Sequence, residues 1–224
     1  MQVIKFVTKD FKSPGIYGKL DYSNFGISIE VEADLKKYGQ CARGIHVVPI
    51  NEDADLHNVV FTDTMILLEV AEEDIVYCEG NGKMLVRKAT PIRQIVETDE
   101  EWEIIKTAAC KKPEFAYWYA RNIDRKPTEK TRTAACKDPH NAYLYALCVD
   151  KGPTEETRTA ACQSPFFACM YANYVDKGPT EETRTAAYQD PKYASQYDRD
   201  VNKKPTVEAY SREPYEYWEM ELDS

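Results

Sequence analysis

The chain has 224 residues, a formal net charge of −9 and 43% hydrophobic residues, which is enough for one or two packed domains. No apolar run approaches the roughly 18 residues that a membrane span needs. Neither half has the basic excess of a general nucleic-acid binder. We therefore expect neither membrane insertion nor general nucleic-acid binding.

The N-terminus and the cysteines together predict a cytoplasmic location. The first ten residues interleave lysines with apolar residues, so we expect no secretion signal. The chain has seven cysteines, and an odd number in a signal-free sequence favours reduced thiols.

Residues 1–97 contain short β-branched runs separated by turn signals, a pattern typical of strands. The predicted strands are Val3–Val7, Ile27–Val31, Ile45–Val48, Met65–Val70, Ile75–Tyr77 and Met84–Arg87. Asn81 and Gly82 lie between the last two strands and accept the positive φ of a tight turn, so we expect a hairpin there. Short helices are predicted at Ala33–Tyr38 and around Glu52–Leu56. The pattern predicts a small, strand-rich α+β domain.

Thr98 marks the predicted boundary between this domain and residues 98–224. Thr98 and Glu101 match a capping box directly before Trp102–Ala109, so we expect a helix to begin here. No Gly-, Pro- or Ser-rich linker separates the two parts of the chain. We therefore expect the first helix to pack directly against the strands.

Residues 98–224 are dominated by a tandem repeat. The equivalent residues Cys110, Cys136, Cys162 and Tyr188 follow one another at a spacing of 26. Self-similarity at a fixed period of this size is the signature of stacked-repeat proteins. Each unit has room for two short helices, which are marginal alone and need their neighbours for stability. The sequence therefore predicts an α/α solenoid of about four 26-residue helix pairs.

Capping signals divide each unit into a helix A and a helix B. In the clearest copy Thr154 is a competent N-cap, and helix A is predicted at Glu155–Cys162. Helix B begins with a proline at its first position, where the missing amide costs nothing. Its small and apolar residues recur at i, i+3, i+4 and i+7, namely Ala142, Tyr145, Ala146 and Val149 in one copy. One face of helix B is therefore predicted to be buried.

The last unit departs from the repeat, as a terminal cap does. Tyr188 replaces the cysteine and Asp198 replaces an alanine. The aromatic residues predicted to seal the open end are Tyr210, Tyr215, Tyr217 and Trp218.

Both halves resemble uncharacterised proteins of bacteria and phages. In the solenoid, the motifs Asp138-Pro139 through Tyr145-Ala146 and Pro153 through Arg158, with their copies, look like the short two-helix repeats of such proteins. In the N-terminal half, the motifs Cys41-Ala-Arg-Gly-Ile-His46, Leu67-Leu-Glu-Val70 and Glu73-Asp-Ile-Val76 are similar to a domain that recurs in them. The resemblance implies a microbial or phage source and an intracellular setting, and it implies no mechanism.

The cysteines do not indicate a metal site. They recur once per unit and no Cys-x-x-Cys occurs, whereas metal ligands lie a few residues apart or are gathered by the fold. Free cysteine packs as a small hydrophobe, which favours thiols stacked in the core. Cys148 and Cys169 depart from the repeat pattern, which leaves a surface position open for them. We expect no metal and no cofactor.

Arg132, Arg158 and Arg184 recur at equivalent positions and allow two interpretations. Each follows a glutamate by three residues, which favours an exposed i, i+3 ion pair of small energetic weight. Alternatively, a row of guanidinium groups along one face of the solenoid would hold an acidic partner or a phosphorylated ligand.

Helix B carries more aromatic residues than one buried face can absorb, and exposed Tyr and Trp are favoured at protein interfaces. Tyr117, Tyr143 and Cys169 occupy one equivalent position, and Trp118, Leu144 and Met170 occupy another. At least one of these two columns should lie near the surface. We predict Tyr117, Trp118 and Tyr143 as partner-binding residues together with the three arginines; packing between repeats is the alternative.

Little in the sequence indicates an enzyme. No phosphate-binding loop is present, and no Ser/His/Asp or Cys/His pattern surrounds the histidines. His46 in a predicted strand, followed later by Glu69, resembles the arrangement of ADP-ribosyltransferase-like folds. That resemblance implies that His46 would hold a nicotinamide dinucleotide and that Glu69 would polarise its ribose. Ordinary strand residues are the alternative interpretation.

The sequence favours a non-catalytic, intracellular protein-binding module with a protein partner. The phage-like resemblance implies a phage-encoded inhibitor or sequestering factor that acts on a host defence protein. Two alternatives stay open: an NAD-using transferase centred on His46 and Glu69, and a nucleotide or small-molecule sponge with a pocket at the domain junction.

Overall fold

The structure is a computed structural model, and it describes residues 1–14, 20–33, 44–78, 80 and 82–202. The helix predicted at Ala33–Tyr38 and the aromatic cap predicted after residue 202 lie outside the described residues, apart from Ala33 itself. Cys41 and the turn residue Asn81 lie outside them as well.

The N-terminal part is a seven-stranded, antiparallel sheet, and the α+β class predicted for the chain is confirmed. Its strands are β1 (Gln2–Val7), β2 (Ile29–Glu30), β3 (Ile45–Pro49), β4 (Thr64–Glu69), β5 (Ile75–Cys78), β6 (Met84–Val86) and β7 (Lys88–Ile95). The spatial order is β2-β7-β4-β1-β3-β6-β5. β5 pairs with β6 as the hairpin prediction requires, and all six predicted strands are present.

Strand β7 is absent from the predicted strands. Pro91 lies inside it, and proline is disfavoured in a central strand. The sheet accommodates Pro91 at a bulge. Leu67 pairs with Arg93 and Leu68 pairs with Pro91, so Ile92 has no counterpart on β4. Bulges are among the few places where a sheet tolerates proline.

The helix predicted around Glu52–Leu56 is wrong; these residues form turns. The side chain of Asn51 accepts a hydrogen bond from the amide of Asp53 at 2.6 Å, and that of Asp55 accepts one from the amide of His57 at 3.0 Å. Such short-range bonds from Asn and Asp compete with the helical ladder and favour turns.

The sheet buries both faces. One face, with Val3, Val7 and Ile66, packs against Tyr22 and the loops around it. The other face, with Ile4 and Phe6, packs against the first two helices of the C-terminal part. The helix residues in this second cluster are Trp102, Ile105, Ala108, Ala109, Phe115, Tyr119 and Ile123. The first helix therefore packs directly against the strands.

The C-terminal part contains four helix pairs along its described length, as the repeat predicts. The A helices are α1 (Glu100–Ala109), α3 (Glu129–Ala135), α5 (Glu155–Ala161) and α7 (Glu181–Ala187). The B helices are α2 (Pro113–Tyr119), α4 (Pro139–Tyr145), α6 (Pro165–Tyr171) and α8 (Pro191–Tyr197). Each B helix continues into a π-helical turn, namely Ala120–Asp124, Ala146–Asp150, Ala172–Asp176 and Asp198–Asn202.

Threonine caps explain where helices α3, α5 and α7 begin. Thr128, Thr154 and Thr180 each accept a hydrogen bond from the amide three residues later. Helix α1 differs from the capping box predicted for it. Its N-cap is Asp99 instead of Thr98, and the Asp99 carboxylate accepts hydrogen bonds from the Val96 amide and the Arg93 guanidinium.

Candidate partner-binding surface

The inward side of the second, third and fourth helix pairs repeats one hydrogen-bonding arrangement. Tyr145, Tyr171 and Tyr197 are fully buried. The hydroxyl of each lies 2.8 Å from that of a buried threonine on the preceding A helix, Thr131, Thr157 or Thr183 respectively. A buried tyrosine hydroxyl needs such a partner, so these positions are constrained by packing and hydrogen bonding together.

Arg132 and Arg158 belong to this repeated framework. Each guanidinium forms a two-pronged ion pair with an aspartate at the end of the following π-helical turn, with a shortest distance of 2.6 Å in both units. The carboxylates of Asp150 and Asp176 are almost fully buried. The hydrogen bonds to Asp150 and Asp176 raise the pKa of the two arginines. The i, i+3 pairing with glutamate is therefore wrong for these two arginines.

The first and last units depart from that ion pair. In the first unit Lys106 stands in place of arginine, and its ammonium lies 3.3 Å from the fully buried carboxylate of Asp124. In the last unit Asn202 replaces the aspartate. Arg184 is exposed and forms no ion pair with any residue of the described ranges. Among the three predicted partner-binding arginines, Arg184 alone presents an exposed side chain.

The predicted aromatic residues separate into an inner and an outer column. Tyr117 (1% exposed), Tyr143 (4%) and Cys169 (1%) form the inner column, so the partner-binding role predicted for Tyr117 and Tyr143 has almost no surface to act through. The burial of Cys169 also excludes the surface position left open for it. Trp118, Leu144 and Met170 form the outer column and are half-buried. Arg121 stacks on Trp118 at 5.3 Å from the ring centroid.

Seven of the half-buried residues of α4, α6 and their π-helical turns, all aromatic or apolar, form one continuous surface, which we name the aromatic face. Its members are His140, Leu144, Leu147, Phe166, Phe167, Met170 and Tyr174. Five of them pack on one buried cluster, which consists of Tyr143, Ala146, Ala161, Tyr171 and Val175. Phe166 and His140 extend the surface through contacts with the ring of Phe167. Phe167 stacks on His140 at 5.0 Å and touches Phe166 at 4.9 Å, and Phe166 reaches Tyr193 of α8 at 5.6 Å.

Charge is absent from the aromatic face and present at both of its ends. Residues 139–149 and 165–175 contain no Asp, Glu, Lys or Arg. The equivalent stretch of the first unit has Glu114 and Arg121, and that of the last unit has Lys192, Asp198, Arg199 and Asp200. Protein interfaces share this anatomy, because their cores are depleted of charge and enriched in aromatic residues and Met, whereas their rims are polar.

The sequence prediction omits His140, Phe166 and Phe167 from the site although a signal for them exists. Inward positions of helix B repeat as Ala, Tyr and Ala, whereas outward positions change in every unit: Glu114, His140, Phe166 and Lys192 form one such column. The aromatic face consists of outward positions that vary between units, although the buried column of Tyr117, Tyr143 and Cys169 varies as well.

The repeated cysteines do not make a reactive site. Cys110, Cys136 and Cys162 are half-buried at the C-terminal ends of the A helices. Burial raises the pKa of Cys136 and Cys162 to about 12, so both thiols stay protonated at neutral pH. No group of three or more potential metal-ligating side chains occurs in the part of the chain that the structure describes.

The structure does not bring His46 and Glu69 together. They lie on β3 and β4, which are separated by β1. Glu69 pairs with Gln2, whereas Pro49 pairs with Val3, which places His46 four residue levels from Glu69. That offset corresponds to about 13 Å along the strand direction. A dinucleotide site would require the two side chains to converge.

The sponge alternative requires a pocket at the domain junction. A depression of about 570 Å³ lies between α1 and α3, within the solenoid. It is lined by Cys110, Glu129, Lys130, Thr133, Ala134 and Lys137. The two lysines and Thr133 can donate to a phosphate, but Glu129 lines the same depression and no aromatic side chain in the lining could stack on a base.

Comparison with known proteins produced no match to a family model, to a curated protein or to a solved structure. The resemblance to bacterial and phage proteins therefore rests on the sequence motifs alone. No helix among the described residues is long and apolar enough to cross a membrane.

Proposed function

We propose that this protein is a non-catalytic, intracellular protein-binding module that holds a polypeptide on the aromatic face. The observation that carries this proposal is the uncharged, half-exposed surface of α4 and α6 in a chain in which 30% of the residues are charged. Contiguous apolar surface with a charged rim marks interaction sites on folded proteins. The A helices, with repeated Glu, Thr and Arg, have no comparable surface.

The role of the solenoid framework is to hold this face rigid. The Tyr–Thr hydrogen bonds and the Arg–Asp ion pairs fix α4 against α3 and α6 against α5 from inside. The outward residues are therefore presented in one arrangement before a partner arrives, which reduces the entropy lost on binding. The finer proposal, that the chain is phage-encoded and inhibits or sequesters a host defence protein, rests on the motif resemblance.

Site-specific photo-crosslinking tests the proposal. A benzophenone amino acid placed at Leu144, on the aromatic face, should give protein adducts when irradiated in expressing cells. The same amino acid at Glu155, an exposed position of α5, serves as the matched control and should give few adducts. Adding Phe167→Glu should abolish the Leu144 adducts while far-UV circular dichroism stays unchanged. Equal labelling from both positions contradicts the proposal.

A further inference from the structure

The aromatic face has charged ends, and the signs of these charges are opposite in one column. Glu114 and Lys192 occupy equivalent positions at the N-terminal ends of α2 and α8, and both are exposed. Between them the same column carries the uncharged residues His140 and Phe166. The column therefore reads acidic, neutral, neutral, basic from the first unit to the last.

This order is complementary to itself under a two-fold rotation. An axis parallel to the helices, midway between α4 and α6, would set the first unit opposite the last unit of a second copy. Glu114 would then face the second copy's Lys192, and His140 would face the second copy's Phe166. The contact repeats by symmetry, so each dimer would contain two Glu–Lys pairs. Isologous two-fold interfaces are built in this way.

In the same arrangement one further outward column pairs apolar residues and another pairs two arginines. Leu144 would meet the second copy's Met170, so apolar surface covers apolar surface. At the C-terminal ends of the B helices, Arg121 would meet the second copy's Arg199, which is already paired with Asp200 at 2.7 Å. Asp198 precedes that pair in the sequence, so the C-terminal end of α8 carries two carboxylates as well as the Arg199 guanidinium.

We infer that the occupant of the aromatic face is a second copy of this chain, bound antiparallel with Glu114 against the second copy's Lys192. This inference rests on the proposed function, because it names the polypeptide that the face holds.

The area of the aromatic face determines the affinity that we expect for the dimer. Four B helices at interaxial spacings of about 9 Å span about 35 Å. A seven-residue helix with its π-helical turn is about 15 to 18 Å long, which gives about 600 Å² on each copy. A standard interface covers about 800 Å² on each partner. We therefore expect a reversible dimer with a dissociation constant in the micromolar range.

Sedimentation velocity on the full chain, from 1 to 200 µM at low salt, tests the inference. The wild type should pass from monomer to dimer over this range. Glu114→Lys and Lys192→Glu should each raise the dissociation constant about tenfold or more, since each puts like charges opposite one another twice. The double variant Glu114→Lys/Lys192→Glu should restore the wild-type value. Glu155→Lys is the matched control and should change little.

Two results overturn the inference: a wild type that stays monomeric at 200 µM, or a double variant that remains as weak as the single variants. The crosslinking experiment tests the proposed function separately from the dimer. If the wild type is monomeric and Leu144 forms adducts with other proteins, the proposed function stands and the inference that the partner is a second copy is rejected. Absence of every adduct together with a monomeric wild type would remove both.

Discussion

The sheet and the solenoid bury charge in different ways. In the sheet, Lys5 is 6% exposed and donates a hydrogen bond to the His46 carbonyl at 3.1 Å, and no described carboxylate forms an ion pair with it. In the second and third units of the solenoid, each buried aspartate is held by an arginine in a two-pronged pair. The repeat therefore uses one arrangement in two neighbouring units, whereas the arrangement around Lys5 occurs once.

The four units of the solenoid differ in the residues that form the Arg–Asp ion pair. The first unit has lysine in place of arginine, and one carboxylate oxygen of Asp124 is buried without a hydrogen-bond partner among the described residues. The last unit has Asn202 at the position of the ion-pairing aspartate. Four copies of one framework therefore contain an Arg–Asp pair twice, a Lys–Asp pair once and an unpaired arginine once. Substitutions at these positions test how much each arrangement contributes.

The largest effect is expected from Arg158→Met. It leaves the carboxylate of Asp176, which is 4% exposed, without its cation, and a buried charge that loses its partner costs about 3 kcal/mol of unfolding free energy. Urea denaturation gives the value. The double variant Arg158→Met/Asp176→Leu should recover most of the loss because it removes the orphaned charge. A loss below about 1 kcal/mol in the single variant would show that solvent reaches Asp176.

Lys5 should make the stability of the protein rise with pH. Burial lowers its pKa from 10.5 to about 8, with a smaller contribution from Lys83. Between about pH 8 and pH 10 the unfolded chain therefore binds a proton that the folded chain does not, so the unfolding free energy increases with pH in this window. The penalty present at pH 7, about 3 kcal/mol, is removed as the amine deprotonates.

Comparison with Lys5→Met isolates this effect, because both proteins share the same tyrosines and cysteines. The stability advantage of the variant over the wild type should shrink by about 2 to 3 kcal/mol between pH 7 and pH 10 in urea denaturation. A difference that is constant over this range would mean that the folded protein keeps the Lys5 ammonium charged and solvated.

The sequence predicts the solenoid well because its signals are local. Threonine caps, prolines at the first helical position and the Ala/Tyr periodicity all act within about ten residues, and each is present in several copies. The sheet is harder to predict, since its order depends on contacts between distant residues. Strand β7 is the clearest case: the bulge that accommodates Pro91 forms only against Leu67 and Leu68 on β4.

The candidate site was only half predictable for a related reason. The sequence identifies two aromatic columns on helix B. Which column faces solvent depends on how helix B is rotated about its own axis, and the periodicity of apolar residues does not determine that rotation accurately enough. Tyr117 and Tyr143 are inside and Trp118 is at the surface. Likewise, the partner of Arg158 is 18 residues away at the end of a π-helical turn, whereas Glu155 is the nearer candidate in sequence. Sequence proximity favoured the wrong carboxylate.

A smaller effect is expected from Lys106→Arg. A guanidinium can engage both oxygens of Asp124, as Arg132 does with Asp150, whereas the ammonium leaves one oxygen without a partner among the described residues. The added hydrogen bond should raise the unfolding free energy by about 1 kcal/mol. The reciprocal change, Arg132→Lys, should lower it by a similar amount. Effects of the same sign in both variants would show that local packing around Trp102, and not the carboxylate geometry, decides the preference.

Arg184→Ala should have the smallest effect on stability. Arg184 is exposed and has no ion pair with any described residue, and substitutions at such positions usually change the unfolding free energy by less than about 0.5 kcal/mol. Parallel urea denaturation of Arg184→Ala and Arg158→Ala compares the same residue change at equivalent positions of neighbouring units. If Arg184→Ala proved as costly as Arg158→Ala, its guanidinium would have to be held by a part of the chain beyond residue 202. A small effect would leave Arg184 free to contribute to binding instead of stability, and it would show that the repeat preserves the arginine even where its aspartate is gone.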